Sequence, residues 1–328
     1  MKLAERMGYQ RDPRIAELME HLRTTRSHRP RSAMAVIIPE LDREQVLHYP
    51  PILGLLQGVQ EVADLAGFGL DTLYLADPGM TPRRVRSILT ARGIKGVVLA
   101  PFASGVASME FNVDGFCAAT AGYSIVEPRL SRACPNYLQM MDETLAACSA
   151  LGYERIGFVM TYGEGGVGHK LFTSSFLYYQ AKIPALQRVP ILPKPEIEPV
   201  RLRRWLETHQ PDVVVSAASV YHLLRQMGWR IPRDIGFASI DISEAPTDAA
   251  GADHSYRLVG QEALKLVLTA LNLNLTGLPP HPKTVLVDSH QRAGFSLQPR
   301  ETRHHARQTR SARNRPGTNK PTFHGFQG

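Results

Sequence analysis

Two features of the sequence could do chemistry, a glycine cluster and a strand-ending acid. Gly163-Glu164-Gly165-Gly166-Val167-Gly168 fits G-x-G-x-x-G, the spacing that lets backbone close on a pyrophosphate at a helix N-terminus. It follows the apolar run Arg155–Met160 and precedes a helical stretch, His169–Lys182, which is the context such a loop needs. A dinucleotide site also wants its strand to open a domain, and a ribose-binding acid at a strand end about 20 residues on. This run lies mid-chain, and Arg188–Pro199 is proline-rich with no such strand. A loop at the mouth of a cleft is the better reading, with a dinucleotide-binding enzyme built on Gly163–Gly168 as an alternative. Asp241 follows Phe237-Ala238-Ser239-Ile240 and so emerges at a strand's carboxyl end, where α/β folds meet their ligands. Its competing role is to cap the loop that follows. Other chemistries lack support. Ser174-Ser175 and Ser216 have no nucleophile elbow, and the twelve histidines offer no H-x-x-x-H pair on a helix. Cys117, Cys134 and Cys148 fall at no metal-ligand spacing and read as small buried residues. No catalytic set, metal or cofactor is expected, so the chain does not read as an enzyme.

The elements that must position Asp241 repeat in alternation. Ala35–Ile38, Leu73–Ala76 and Val97–Ala100 are short apolar runs. Between them lie Ile52–Ala66, apolar on a 3.6-residue period, and Arg83–Ala91, opened by Thr81-Pro82. Strands buried on both faces and joined by helices form a parallel sheet. Phe111–Phe116 reads as a short helical piece, Cys117–Ala121 as a fourth strand and Tyr137–Leu151 as a helix. A second cycle begins at Arg155 and runs through Leu202–His209, Asp212–Ser216, Val220–Gly228, Ile235–Ile240, Leu258–Leu273 and Thr284–Val287. Two successive α/β halves predict two lobes with a cleft between them. Trp205 and Trp229 read as core.

The net charge of +8 is concentrated at the ends. Residues 1–32 hold eight Lys/Arg against four acids, and residues 299–328 hold seven against Glu301 alone, which leaves the body at −2. Basic extensions on a neutral body suit a polyanion. Asp12-Pro13 opens a helix with Ile15, Leu18, Met19 and Leu22 on one face, followed by a basic linker from Arg23 to Ser32. The tail after Pro299 has too few large apolar residues to fold and is expected to be disordered. No apolar run is long enough to span a membrane and the start lacks an apolar signal region, so the expected location is cytoplasmic.

Several segments, in order, resemble the lactose-repressor type (LacI/GalR) of bacterial transcription regulators. Ala4-Glu5-Arg6-Met7-Gly8-Tyr9 resembles the end of the DNA-binding head, and Asp12–Leu22 the hinge helix. Leu56-Gln57-Gly58-Val59 resembles the first core helix, and Leu151-Gly152-Tyr153-Glu154-Arg155-Ile156-Gly157-Phe158 a highly typical segment. Ile231-Pro232-Arg233-Asp234-Ile235-Gly236-Phe237 through Asp241 resembles the strand ending in a ligand-facing aspartate, and Leu258-Val259-Gly260 the start of the last long helix. The likeness covers residues 3 to about 298. The helix-turn-helix it implies would precede Leu3. Phe172 stands where the family often has a sugar-binding arginine, Cys134-Pro135-Asn136 where many members have valine-x-aspartate, and Ile242 replaces a frequent second aspartate.

The resemblance implies an α/β, two-lobed periplasmic-binding-protein-like (type I) fold with parallel sheets flanked by helices, preceded by a short hinge helix. Residues 1–32 would be a remnant of the head, hinge helix and linker, residues 33–298 the effector-binding domain, and residues 299–328 the tail. Lobe 1 is expected to span 33–160 and 254–288, lobe 2 161–253 and 289–298. Tyr49, Phe172, Asp241, Asp253 and His254 are the expected effector contacts. Arg11, Arg14 and Leu18 are the expected DNA contacts. The implied partners are DNA, a small-molecule effector of carbohydrate type and a second copy of the chain, with no membrane. A solute-binding receptor without DNA binding is the other alternative.

Overall fold

The computed structural model describes Glu20 and residues 33–161, 166–193 and 198–300. The expected hinge helix and basic tail lie outside the described residues, except that Glu20 is helical and exposed.

The first sheet begins with β1 (Ala33–Ile38), whose run of apolar residues is buried on both faces. It is flanked by β2 (Gly69–Tyr74) and β3 (Gly96–Leu99), and continues through β5 (Cys117–Ala121), β7 (Arg132–Pro135) and β13 (Thr284–Val287). The strand order is β13-β7-β5-β3-β1-β2 and every pairing is parallel. β2 lies at the edge and starts four residues before the expected run. A separate two-stranded piece joins β4 (Ala107–Ser108) to β6 (Ile125–Glu127).

The helices start where their caps dictate. Asp42 and Gln45 form a reciprocal capping box at α1 (Arg43–Leu47). Pro50 and Pro51 occupy the first turn of α2 (Pro50–Leu65), which buries Ile52, Leu55, Val59 and Ala63. The Thr81 hydroxyl accepts from Arg84 N at the head of α3 (Pro82–Ala91). Phe111–Phe116, expected to be helical, contains no helix. Asn112 accepts from Asp114 N at 2.7 Å, a local side-chain turn that competes with helix, while Phe111, Val113 and Phe116 enter the core against α3.

The second sheet comprises β8 (Ile156–Met160), β9 (Leu192–Pro193), β10 (Val213–Ser216), β11 (Gly236–Ser239), β12 (Gly251–Asp253) and β14 (His290–Arg292). Its order is β14-β12-β11-β10-β8-β9, parallel except where β14 runs against β12. Around it lie α4 (Tyr137–Ala150), α5 (Val167–Lys182), α6 (Pro199–His209) and α7 (Ala218–Gln226). Lobe 1 was expected to run to residue 160, but β8 belongs to the second sheet and α4 packs in the core of that lobe. The chain therefore leaves the first sheet at Asn136. It returns at His254–Ser255, where β12 gives way to α8 (Tyr256–Asn272), and crosses again at Asp288–Ser289 between β13 and β14. The first and third crossings are tied together: Asn136 Nδ2 donates to Asp288 Oδ1 at 2.8 Å, and Ser289 N to Gln139 Oε1 at 3.0 Å.

α2 and α8 carry more apolar positions than a sheet face can cover, and much of that excess is spent between them. A Cβ at Gly58 would stand 1.8 Å from the Arg257 carbonyl oxygen, and one at Gly260 would stand 2.2 Å from that of Leu55. The backbones approach to a distance only glycine permits. Cys117, Cys134 and Cys148 are buried free thiols. Trp205 is buried and donates to Pro190 O at 2.9 Å, while Trp229 is half-buried against the same cluster. Among the described residues no helix is long and apolar enough to cross a membrane, and no group of side chains is arranged to hold a metal ion.

Candidate effector-binding cleft

A cavity of about 600 Å³ lies between the lobes at the carboxyl ends of both sheets, a size ordinary for a small-molecule site. The first lobe contributes Tyr49 at the head of α2, Phe102 and Ser104 after β3, Tyr123 after β5, and Tyr256 at the head of α8. The second contributes Tyr137, Gly166–His169, Ser219, Asp241 and Glu244. The glycine cluster thus ends in the cleft wall, while Gly163, Glu164 and Gly165 lie outside the described residues. α5 and α7 both begin in this wall, at Gly166 and Ala217, neither of which has a side chain able to cap its helix. Backbone N–H groups at such helix starts can meet ligand oxygens, anionic ones included.

Asp241 is held by two hydrogen bonds. Oδ1 accepts from Ser243 N at 2.8 Å and Oδ2 from the Tyr256 hydroxyl at 2.7 Å. The Tyr256 oxygen also lies 2.7 Å from His254 Nδ1, and His254 Nε2 lies 2.8 Å from Ile240 O. A carbonyl only accepts, so Nε2 carries hydrogen. The buried His254 ring thus backs the Tyr256–Asp241 pair, its Nδ1 lying 3.5 Å from Asp241 Oδ2. Glu244, open to solvent at the mouth, accepts no hydrogen bond from the described residues; protein crowded around it and the negative charge of Asp241 push its carboxyl up. Burial, followed by Glu244, Asp241 and Glu40, pushes the Tyr49 phenol up to about 12, and burial likewise raises Tyr137. Across the first lobe, Glu40 accepts from the backbone of Ala103 and Ser104 at 2.7 and 2.8 Å. Desolvation opposes ionisation there, but the hydrogen bonds from Ser104 and Ala103 outweigh it and hold the carboxyl down.

The five expected contacts separate. Tyr49 and Asp241 line the cavity. Phe172 does not: it is fully buried in the second-lobe core, its ring 4.8 Å from that of Tyr137. It supports the wall from behind, because an aromatic on the inward face of α5 gains more by burial than by exposure. His254 is also buried, standing behind the wall against Tyr256, Asp241 and Tyr137. Asp253 is exposed and caps a local turn, accepting from Ser255 N at 2.8 Å where Ser255 takes a left-handed φ of 52°. Arg11, Arg14 and Leu18 lie outside the described residues. Sequence reasoning missed Tyr123, Tyr137, Tyr256 and Glu244. The one signal available was that Glu244 follows Asp241 by three residues in a loop.

A second cavity, about 750 Å³, sits at the opposite, amino end of the second sheet, lined by Tyr153, Arg155, Asp212, Trp229, Asp234 and Arg300 among others. Part of its polar lining is engaged with the surrounding chain. Asp212 accepts from Glu154 N and Arg155 N at 2.9 and 3.1 Å and pairs with Arg300 at 3.4 Å. Arg230 takes Asp234 in a fork at 2.9 and 2.7 Å.

No protein-family model and no curated protein matches the sequence. Solved structures do. The transcriptional regulator CelR in complex with cellobiose superposes with a TM-score of 0.56 at 15% identity, covering 88% of this chain and 92% of that one. A LacI-family regulator from Rhizobium etli gives 0.61 at 15% identity, with 82% and 100% covered. The LacI-family regulator CcpA from Weissella paramesenteroides with bound glucose gives 0.56 at 12%, with 81% and 98% covered. The described chain thus has the two-lobed α/β fold of LacI-family transcriptional regulators.

Proposed function

We propose that this chain is a transcription regulator of the LacI type, in which a small polyhydroxylated effector binds between the lobes and controls DNA binding by a dimer. The observation that carries this reading is the cleft itself. It joins the carboxyl ends of the parallel strands of both sheets, is walled by aromatics, two carboxylates and two helix N-termini, and belongs to a fold whose solved examples include regulators with bound cellobiose, glucose and sucrose. A ligand touching both lobes favours one angle between them, and by linkage that preference alters affinity at a second site. The second site is assigned to residues 1–32: Arg11 and Arg14 neutralise phosphates, and Leu18 wedges into a minor groove, as apolar side chains do in other minor-groove binders. Two copies present two hinge helices; exposed Leu47, Leu53 and Leu65 on the first lobe add apolar surface for the pair.

Thermal stabilisation of the full chain by a panel of neutral mono- and disaccharides tests the cleft. Asp241→Ala is expected to abolish the stabilisation by whichever sugar binds; retention of the full shift would move the pocket elsewhere. Titration against duplex DNA from upstream of the gene and a scrambled duplex, at two salt concentrations, tests the rest. With the minor groove reading little beyond A·T against G·C, residues 1–32 alone should give weak, steeply salt-dependent binding with little sequence preference. Sedimentation as a monomer at micromolar concentration would remove the basis for hinge pairing.

A further inference from the structure

We propose that the effector is an aryl glycoside, with its sugar ring on the second lobe and its aromatic aglycone on the first. This rests on the reading of the cleft as the effector site and adds the chemistry of the ligand's two ends.

The two walls of the cleft differ in kind. Among the described residues, each lining carboxylate and imidazole (Asp241, Glu244 and His169) belongs to the second lobe. The first lobe offers Tyr49, Pro51, Pro101, Phe102, Val106 and Tyr123, and nothing ionisable except phenols.

The first lobe has also committed most of its hydrogen-bonding groups here to its own chain. Ser124 Oγ accepts from Phe102 N at 2.8 Å. Glu40, outside the lining, accepts from Ala103 N and Ser104 N at 2.7 and 2.8 Å, with the Ser104 hydroxyl also turned to it. The Tyr123 hydroxyl faces the Cys134 thiol, and that of Tyr256 donates to Asp241 at 2.7 Å. What this wall leaves for a ligand is ring faces and apolar edges, with the Tyr49 hydroxyl as the exception. The second lobe shows the reverse. Thr161, His169, Ser219 and Glu244 line the cleft with side chains that meet no hydrogen-bond partner among the described residues.

A two-sided cleft selects a two-sided ligand. Sugar hydroxyls find open donors and acceptors on the second lobe. A second sugar ring against the first lobe would give up water from its hydroxyls and meet few partners in return. An aryl ring has no such groups to desolvate and gains from every apolar contact. Its platform is in place beforehand, because the bonds from Phe102, Ala103 and Ser104 fix the loop that carries the Phe102 ring. The Tyr123 ring lies 5.7 Å from that of Tyr137, so aromatic surface continues from one lobe to the other. A cavity of about 600 Å³ has room for both rings.

The test uses the full chain at pH 7 with matched probes: the methyl and phenyl glycosides of glucose, galactose and mannose in both anomers, cellobiose, lactose, and phenol alone. Titration calorimetry should show a phenyl glycoside binding at least about tenfold tighter than its methyl twin, a step that burial of one aromatic ring supplies. Its heat-capacity change should also be the more negative. Phe102→Ala should shrink the ratio of phenyl to methyl toward one, and Phe102→Tyr, which keeps the ring, should keep the ratio. Methyl glycosides or disaccharides binding as tightly as the phenyl glycosides overturn the proposal and leave the cleft standing as the effector site. Phenol binding as tightly as its glycosides removes the sugar from the ligand and also overturns it. A phenyl preference untouched by Phe102→Ala overturns the placement on the first lobe. Silence from every probe counts against the proposal and against the cleft reading together.

Discussion

The second sheet carries a cavity at each end, and the larger is the poorer candidate for a ligand. At the amino end, about 750 Å³ is lined by two carboxylates already bonded to their own chain: Asp212 holds two backbone N–H groups and Arg300, and Asp234 holds Arg230. At the carboxyl end, about 600 Å³ is walled by aromatics, Asp241 and the solvent-exposed Glu244, which accepts no hydrogen bond from the described residues. Volume reports where atoms are missing. The groups that line a cavity say more, because those already bonded to their own chain have less to offer a ligand. By that measure the carboxyl-end cavity is the better candidate for a ligand site.

The comparison can be broken by substitution. The largest effect is expected at the amino end: Asp212→Ala strips the partners of two backbone N–H groups and should cost roughly 2–4 kcal/mol, read as a lower urea midpoint with ligand stabilisation of unchanged size. If ligand stabilisation disappears instead, the two ends have been assigned the wrong way round. Tyr256→Phe should cost about 1 kcal/mol and also weaken the ligand, since the hydroxyl belongs to both the cleft wall and the Asp241 hydrogen bond; a stability loss with unaltered binding would detach Tyr256 from the site. The smallest effect is expected at Glu244→Gln, within about 0.5 kcal/mol of the parent. Its sign depends on pH. The folded protein raises the Glu244 carboxyl above its unfolded value, so ionisation disfavours the fold, fully above the folded pKa and not at all below the unfolded one. The glutamine variant should therefore gain slightly at pH 7 and lose that gain as pH falls through the Glu244 titration. Chemical denaturation of parent and variant at pH 7 and pH 4 measures it, and a variant less stable at pH 7 would mean that Glu244 is partnered after all.

Much of this architecture is legible in the residues. β1 and α3 start and stop within about two residues of where apolar runs, Thr81 and the prolines place them, because these signals act locally. The division between lobes was misplaced by more than twenty residues for the opposite reason. The crossing is a single residue, Asn136, with no linker composition, and only the pairing of β8 with β10 shows which sheet it joins. Three-residue strands such as β12 and β14 exist by virtue of their neighbours and carry no pattern of their own. At the site, Asp241 is visible because a strand-ending acid has a positional meaning. Tyr123, Tyr137 and Tyr256 come from separate segments and meet only in the folded chain. Phe172 and His254 show a further limit, since position along a helix or crossing does not say which way a side chain turns.

The three crossings also set what a ligand's binding energy can move. Asn136, His254–Ser255 and Asp288–Ser289 lie side by side, the first and last stitched by Asn136–Asp288 and Gln139–Ser289, while the His254 ring packs 5.5 Å from that of Tyr137. A lobe joined through three adjacent crossings is freer to swing than to slide, so a ligand bridging the lobes as proposed would act as torque about them. Displacement then grows with distance from the crossings, and the parts of the first lobe that travel farthest are those that touch no ligand at all.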